Sequence, residues 1–231
     1  MQEEQTKHSK RRKLPIWKKA LLFFLVIALA LTASAIFVYS RYIPMGRVMP
    51  NLYAIRNDNN GLPFVNFFLY RVGENYIAFD AGSDTEQTHR ALKRLGISAS
   101  NVVAVFITHE DSDHIGTLDL FCNAIIYTGA IDLPNHTHQI LQNGEVVEID
   151  GTFVQIIYTP GHTSGCAVYL LNDKILFVGD LFVNPNFARY DSQLQIYHQE
   201  RVLQIDGLEY IFTGHLNLFR GIWFYRWRFG S

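Results

Sequence analysis

Five ionisable side chains occupy six consecutive positions of this chain, His109, Glu110, Asp111, Asp113 and His114, inside the run Thr108-His109-Glu110-Asp111-Ser112-Asp113-His114-Ile115-Gly116. Uncompensated charge is costly to bury, so a run of this kind is either a solvated acidic loop or the wall of a site that holds a cation. Imidazole and carboxylate are the donors that zinc, iron and manganese accept, and a cation held by them activates water for hydrolysis. Residues of the same types recur elsewhere: Asp80, His162 within Thr159-Pro160-Gly161-His162-Thr163, Asp180 within Val178-Gly179-Asp180, and His215 within Thr213-Gly214-His215. Taken singly, a histidine or aspartate of this sort reads as a surface or turn residue.

Their positions relative to the apolar runs give them weight. Strands are expected at Leu52–Ile55, Phe64–Tyr70 and Tyr76–Phe79, broken by turn residues at 57–61 and 73–75. Further strands read at Val102–Thr108, Ala124–Tyr127, Glu145–Ile149, Phe153–Tyr158, Ala167–Leu171, Ile175–Val178 and Tyr210–Thr213. Ser83-Asp84-Thr85-Glu86 reads as a capping box opening a helix to about Leu95, with Gly96 at its end, and Ser192–Ile205 has a helical period. The implied architecture is two sheets with helices outside. Asp80, His109, His162, Asp180 and His215 each stand at or just beyond the end of an apolar run. Strands that stop at one rim of a rigid scaffold would bring these donors together.

In order, spacing and flanking residues, His109-x-Asp111-x-Asp113-His114 followed by separate His162, Asp180 and His215 resembles the metallo-β-lactamase-fold superfamily, over about Val48 to Leu218. The resemblance implies an αββα sandwich with a binuclear metal site at one edge of two sheets. It assigns His109, residue 111 and His162 to a first metal and Asp113, His114 and His215 to a second, with Asp180 bridging both and Asp80 bracing the loops. The departure is Asp111, where the superfamily's common pattern has histidine. Carboxylate is a harder ligand than imidazole, so the change favours iron or manganese more than the usual set does, while zinc with a carboxylate ligand remains ordinary. The related flavodiiron proteins place a glutamate there and work with an attached flavin domain.

The N-terminal region carries a different signal. Residues 1–19 hold seven Lys/Arg against two Glu, which leaves thirteen basic and nineteen acidic residues, a net charge of −6, for the rest of the chain. A mildly acidic domain argues against a nucleic-acid-binding surface. Residues 20–39 are uncharged and apolar, long enough as a helix to cross a bilayer core of about 30 Å. With the basic tail held in the cytoplasm, the remainder would lie outside the membrane, after a linker at 40–47 and in a domain from 48 to 231. A cleaved signal peptide ending near Ala33-Ser34-Ala35, giving a secreted protein, is the competing reading, and a buried core helix is the third.

The resulting expectation is a membrane-anchored hydrolase using two divalent ions, zinc first, to activate a water that attacks an ester, thioester, lactone or similar small molecule. Asp113, besides ligating, would orient that water. The alternatives are a β-lactam or phosphodiester hydrolase, a diiron redox protein served by a separate flavoprotein, and a non-catalytic metal-stabilised surface module. His8, His89 and His198 read as solvent-facing, and His136-Thr137-His138 as a polar loop without a third ligand. Cys122 and Cys166 allow at most one bridge. The terminal run from Leu218 to Phe229 mixes aromatics with cations, as membrane-interface segments or a final strand do.

Overall fold

The computed structural model describes residues 15–41, 45–59, 62–131 and 133–215. The chain divides into two units, Met1–Arg41 and Tyr42–Ser231. In the first, one helix, α1, runs Ile16–Arg41, and its segment Ile16–Ser34 has a mean hydropathy of 2.0, enough by length and composition to cross a membrane. His8 and the terminal aromatic run lie outside the described residues.

The second unit has β1 (Gly46–Met49), β2 (Leu52–Asn59), β3 (Leu62–Val72), β4 (Asn75–Phe79), α2 (Thr85–Leu95), β5 (Val102–Ile107), the single turn α3 (Ser112–Ile115), β6 (Ile125–Thr128) and β7 (His138–Ile140). There follow β8 (Val146–Ile149), β9 (Thr152–Tyr158), β10 (Ala167–Leu171), β11 (Ile175–Phe177), α4 (Ser192–Val202) and β12 (Tyr210–Phe212). Strands β1 to β7 form one sheet in sequence order, antiparallel up to β4 and parallel from β4 onward. The other sheet has the order β12-β11-β10-β9-β8, with only β11 and β12 parallel.

Three apolar layers hold this arrangement, as the expected αββα sandwich requires. Between the sheets, Phe68, Phe79 and Phe106 meet Tyr169, Phe177 and Phe212, and the Phe79 and Phe177 rings stack 3.7 Å apart at 8°. On the outer face of the first sheet, Ala91 and Leu92 of α2 pack over Phe67, Leu69, Ala78 and Val105. Val202 and the adjoining Leu203 cover Val168, Leu170, Leu176 and Ile211 on the other. Strands β4, β5 and β10 are buried on both faces, which is why they read as unbroken apolar runs.

Several details differ from the sequence reading. The cap of α2 is Asp84, not Ser83: the Asp84 side chain accepts from Gln87 N at 2.8 Å, and Gly96 closes the helix at φ +70°. β1 takes in Gly46 and Arg47, assigned above to the linker, and β7 begins at His138 inside the segment read as a loop. His136 and His138 belong to no metal-like cluster among the described residues; His138 Nδ1 bonds His136 O at 2.9 Å. Both thiols are free, Cys122 exposed and Cys166 buried, and burial pushes the Cys166 thiol up to about 12.

His198 is 5% exposed rather than solvent-facing. Burial, and then the Arg201 charge, hold its imidazole below the ordinary value. The folded state therefore binds this proton more weakly than the unfolded chain does. The stability this contributes is complete above the unfolded value, near 6.5, and is lost as pH falls through the depressed folded one. His198→Gln is expected to lose less stability between pH 7 and pH 5 than the parent, measured by denaturant unfolding in chelator so that metal release does not contribute.

Candidate metal centre

Both sheets end at the rim where the donor side chains collect. From the first sheet, β4 delivers Asp80, β5 delivers His109 and Asp111, and the turn α3 carries Asp113 and His114. From the second, the segment after β9 presents His162, that after β11 presents Asp180 and that after β12 presents His215. Their donor atoms form two groups, each within 4.8 Å: His109, Asp111, His162 and Asp180 in one, Asp113, His114 and His215 in the other. All seven sequence candidates therefore lie in the two groups, and each group draws on both sheets.

Asp180 joins them. Its Oδ1 is 3.2 Å from His114 Nε2, and its Oδ2 is 3.3 Å from His215 Nε2, 3.5 Å from His162 Nε2 and 3.8 Å from His109 Nε2. Asp111 Oδ2 lies 3.3 Å from His109 Nε2 and 3.2 Å from His162 Nε2, and Asp113 Oδ2 is 3.3 Å from His215 Nε2.

The surrounding bonds aim the rings. Asp80, 3% exposed, accepts from Thr108 N at 2.8 Å and from the Thr108 hydroxyl, and its Oδ2 receives His114 Nδ1–H at 2.8 Å. His109 Nδ1 sits 3.0 Å from Thr108 Oγ1, and His215 Nδ1 donates to Phe64 O at 2.6 Å. In all three rings the outer nitrogen is engaged and Nε2 is left for the cluster, the usual arrangement behind ligating histidines. Backbone bonds tie the loops to one another: Gly214 N donates to Gly179 O at 2.8 Å and Asn66 N to Gly214 O at 2.7 Å. Gly179 adopts φ +48° with Thr108 against it, where an added Cβ would fall 2.3 Å from Thr108 Oγ1.

Opposite charges hold one another in the cluster. Burial alone would raise the Asp180 and Asp111 carboxyls, yet histidine contacts, together with Arg189 for Asp111, hold both well below the usual range. Burial opposes charge on His114 and His215, but Asp180 with Asp80 raises His114 and Asp113 with Asp180 raises His215 to about 10. His109 Nε2, His114 Nε2 and Asp180 Oδ1 are buried, converge, and make no hydrogen bond. Three buried, converging atoms left without a hydrogen bond fit a divalent cation placed among them.

Five contacts were not visible in the sequence. Arg189 Nη2 pairs with Asp111 Oδ1, and Thr163 Oγ1 donates to Glu110 Oε2 at 3.0 Å. Buried Gln195 donates to Leu181 O at 3.0 Å and Val183 O at 3.2 Å, while Gln199 donates to Leu181 O at 2.7 Å, so α4 holds the segment after Asp180. A cleft of about 520 Å³ opens beside Asp111, walled by Glu110, Ser112, Thr163, Arg189 and Tyr190.

Comparison with known proteins bears on the family and the fold. A family model described as the metallo-beta-lactamase superfamily matches residues 60–140 and 127–215. A hydroxyacylglutathione hydrolase of Synechococcus sp. is 30% identical over 122 residues, 50% of this chain and 46% of that protein; the chain spans about half the length of the curated relatives it matches. Among solved structures, a metallo-beta-lactamase family protein of Thermus thermophilus superposes with a TM-score of 0.62 at 18% identity, over 75% of this chain and 76% of that one. The flavodiiron protein of Giardia intestinalis does so with 0.63 at 15% identity, over 78% and 56%.

Asp80 belongs to neither donor group and offers its carboxylate to His114 and Thr108. Asp80→Asn is expected to weaken divalent-ion affinity by roughly 10–100-fold while leaving every candidate ligand in place. Chelator competition measures this, and unchanged affinity would mean that His114 is aimed by packing alone.

Proposed function

The chain belongs to the metallo-beta-lactamase superfamily, and from that premise we propose that it is a membrane-anchored hydrolase that uses two divalent ions to cleave small carbonyl substrates, thioesters first, then esters and lactones. The observation that carries the reading is Asp180, which faces both donor groups at once. In this reading His109, Asp111, His162 and Asp180 hold one ion, and Asp113, His114, His215 and Asp180 the other. Such ions, when bound, supply Lewis acidity that ionises a water near neutral pH and polarises the substrate oxygen.

The remaining work belongs to the chain's own groups. Asp113, held ionised chiefly by the His215 contact against the effect of burial, accepts a hydrogen bond from the attacking water and sets its direction. Asp80 and Phe64 O keep His114 and His215 in the orientation that presents Nε2. The cleft receives the substrate, where Ser112 and Tyr190 offer hydroxyls to a polar leaving group. Thioesters stand first because the curated relatives named hydroxyacylglutathione hydrolase share about 30% identity with this chain. Zinc is the first choice of ion, and Asp111, as a hard ligand, makes manganese and iron the comparisons to run.

The intact protein, loaded in turn with zinc, manganese and iron, should turn over chromogenic thioesters and esters, and lose that activity in chelator. Asp180→Asn should lower occupancy of both positions and reduce turnover roughly 100-fold or more. Turnover of only a cephalosporin or a phosphodiester would overturn the substrate class. Wild-type activity with two bound ions in Asp180→Asn would remove Asp180 from the site.

The anchoring part of the proposal rests on the Ile16–Ser34 segment and the basic residues before it, which the positive-inside rule keeps in the cytoplasm. Protease added to intact cells should digest the domain and spare a cytoplasmic control. An uncut domain overturns the orientation, and a soluble form starting near Ile36 would establish a cleaved leader instead.

A further inference from the structure

Asp111 is where this chain departs from its family's common histidine, and replacing a neutral imidazole by a carboxylate adds one negative charge and a freely rotating pair of equivalent oxygens. The structure puts a partner on that carboxylate. Arg189 Nη2 pairs with Oδ1, while Oδ2 faces inward, 3.3 Å from His109 Nε2 and 3.2 Å from His162 Nε2. Arg189 is 78 residues away in sequence, yet its own place is fixed from the cluster side: its backbone N donates to His162 O at 2.8 Å. Two residues on, Asp191 N donates to Gly161 O at 2.9 Å, and the Asp191 side chain caps α4 by accepting from Gln193 N and Leu194 N. The backbone from which the guanidinium extends is thus tied to the segment that carries His162, so one end of the pair starts from a fixed point.

We propose that Arg189 is a positioning residue for Asp111, holding Oδ1 so that Oδ2 alone is presented to the first cation position, and cancelling the charge that a carboxylate adds where the common pattern has imidazole. The inference rests on reading Asp111 as a ligand. Asp111 and Arg189 together carry no net charge, as a neutral imidazole does, so the pair reproduces the electrostatic balance of the histidine pattern with a harder donor atom. A guanidinium N–H on the outer oxygen suits this task, because it engages one of the two equivalent oxygens and supplies the compensating charge.

Three mechanisms by which Arg189 acts on cation binding differ in sign across a double-mutant cycle. Positioning through Asp111 makes Arg189→Met harmful only while Asp111 is present. Simple repulsion of cations by Arg189 makes the change favourable in any background. Support of the His162 segment makes it harmful in any background. Arg189 is exposed on its side-chain surface, so the variants are expected to fold.

The experiment uses the full-length protein in detergent and zinc alone as the probe, with stepwise dissociation constants read by competition against a chromogenic chelator. Arg189→Met is expected to weaken one of the two zinc positions by roughly 10–100-fold and leave the other within about threefold. In the Asp111→His background the same change should cause no weakening. Equal weakening in both backgrounds, tightening in both, or no effect in either would overturn the assignment. Asp111→Ala separates this from the reading beneath it: if that variant keeps both zinc positions at parental affinity, Asp111 is not a ligand and the reading itself fails; if it empties one position while Arg189→Met changes nothing, only the inference fails.

Discussion

Buried negative charge at the rim of the two sheets is the constraint to which the rest of this domain answers. Asp80 and Asp180 are almost wholly buried, on opposite nitrogens of the His114 ring, and Asp111 is largely so beside Asp180. Left alone, such a set would drive its own protonation or unfold the rim. Instead each carboxylate has imidazoles around it, and Asp111 also has a guanidinium. The strand lengths, the turn α3, Gly179 and the glutamines of α4 can all be understood as devices that hold these opposed groups at contact without letting them satisfy one another completely.

That incompleteness has a chemical meaning. A finished hydrogen-bond network would rigidify the rim and leave nothing for a ligand. Here Nε2 of His109 and His114 and Oδ1 of Asp180 remain without hydrogen bonds while their ring partners on the outer side are fully engaged. The outer bonds fix direction and the inner atoms keep their binding capacity, which is the division of labour expected of a preorganised site.

Much of this was legible in the sequence because the information is local. The strands with continuous apolar runs announced themselves, and a ligand type at or just past each run predicted the rim on which His109, His162, Asp180 and His215 meet. What escaped depends on distance along the chain or on marginal patterns. The short edge strands β1 and β7 have too few residues to show alternation. His198 read as solvent-facing because the buried face of α4 is itself polar, with Gln195, His198 and Gln199 beside Val202. The box Ser83-Asp84-Thr85-Glu86 offers two adjacent cap residues, and only the backbone at Asp84, extended at φ −131°, selects between them. The Arg189 pairing joins positions 78 residues apart, and no local rule connects them.

Each donor group draws residues from both sheets, so an ion held by either group would be a cross-link between two halves that also meet through the aromatic layer around Phe79 and Phe177. The fold then has two fasteners of different kinds: one is apolar and always present, the other depends on supply. A ligand that binds only the folded state adds about 4 kcal/mol when free at 1,000 times its dissociation constant. Folding of this domain and the availability of metal in its surroundings are therefore coupled quantities. A chain that reached a metal-poor compartment would be looser at the very edge where its chemistry takes place, and more open to proteolysis there, long before its aromatic centre gave way.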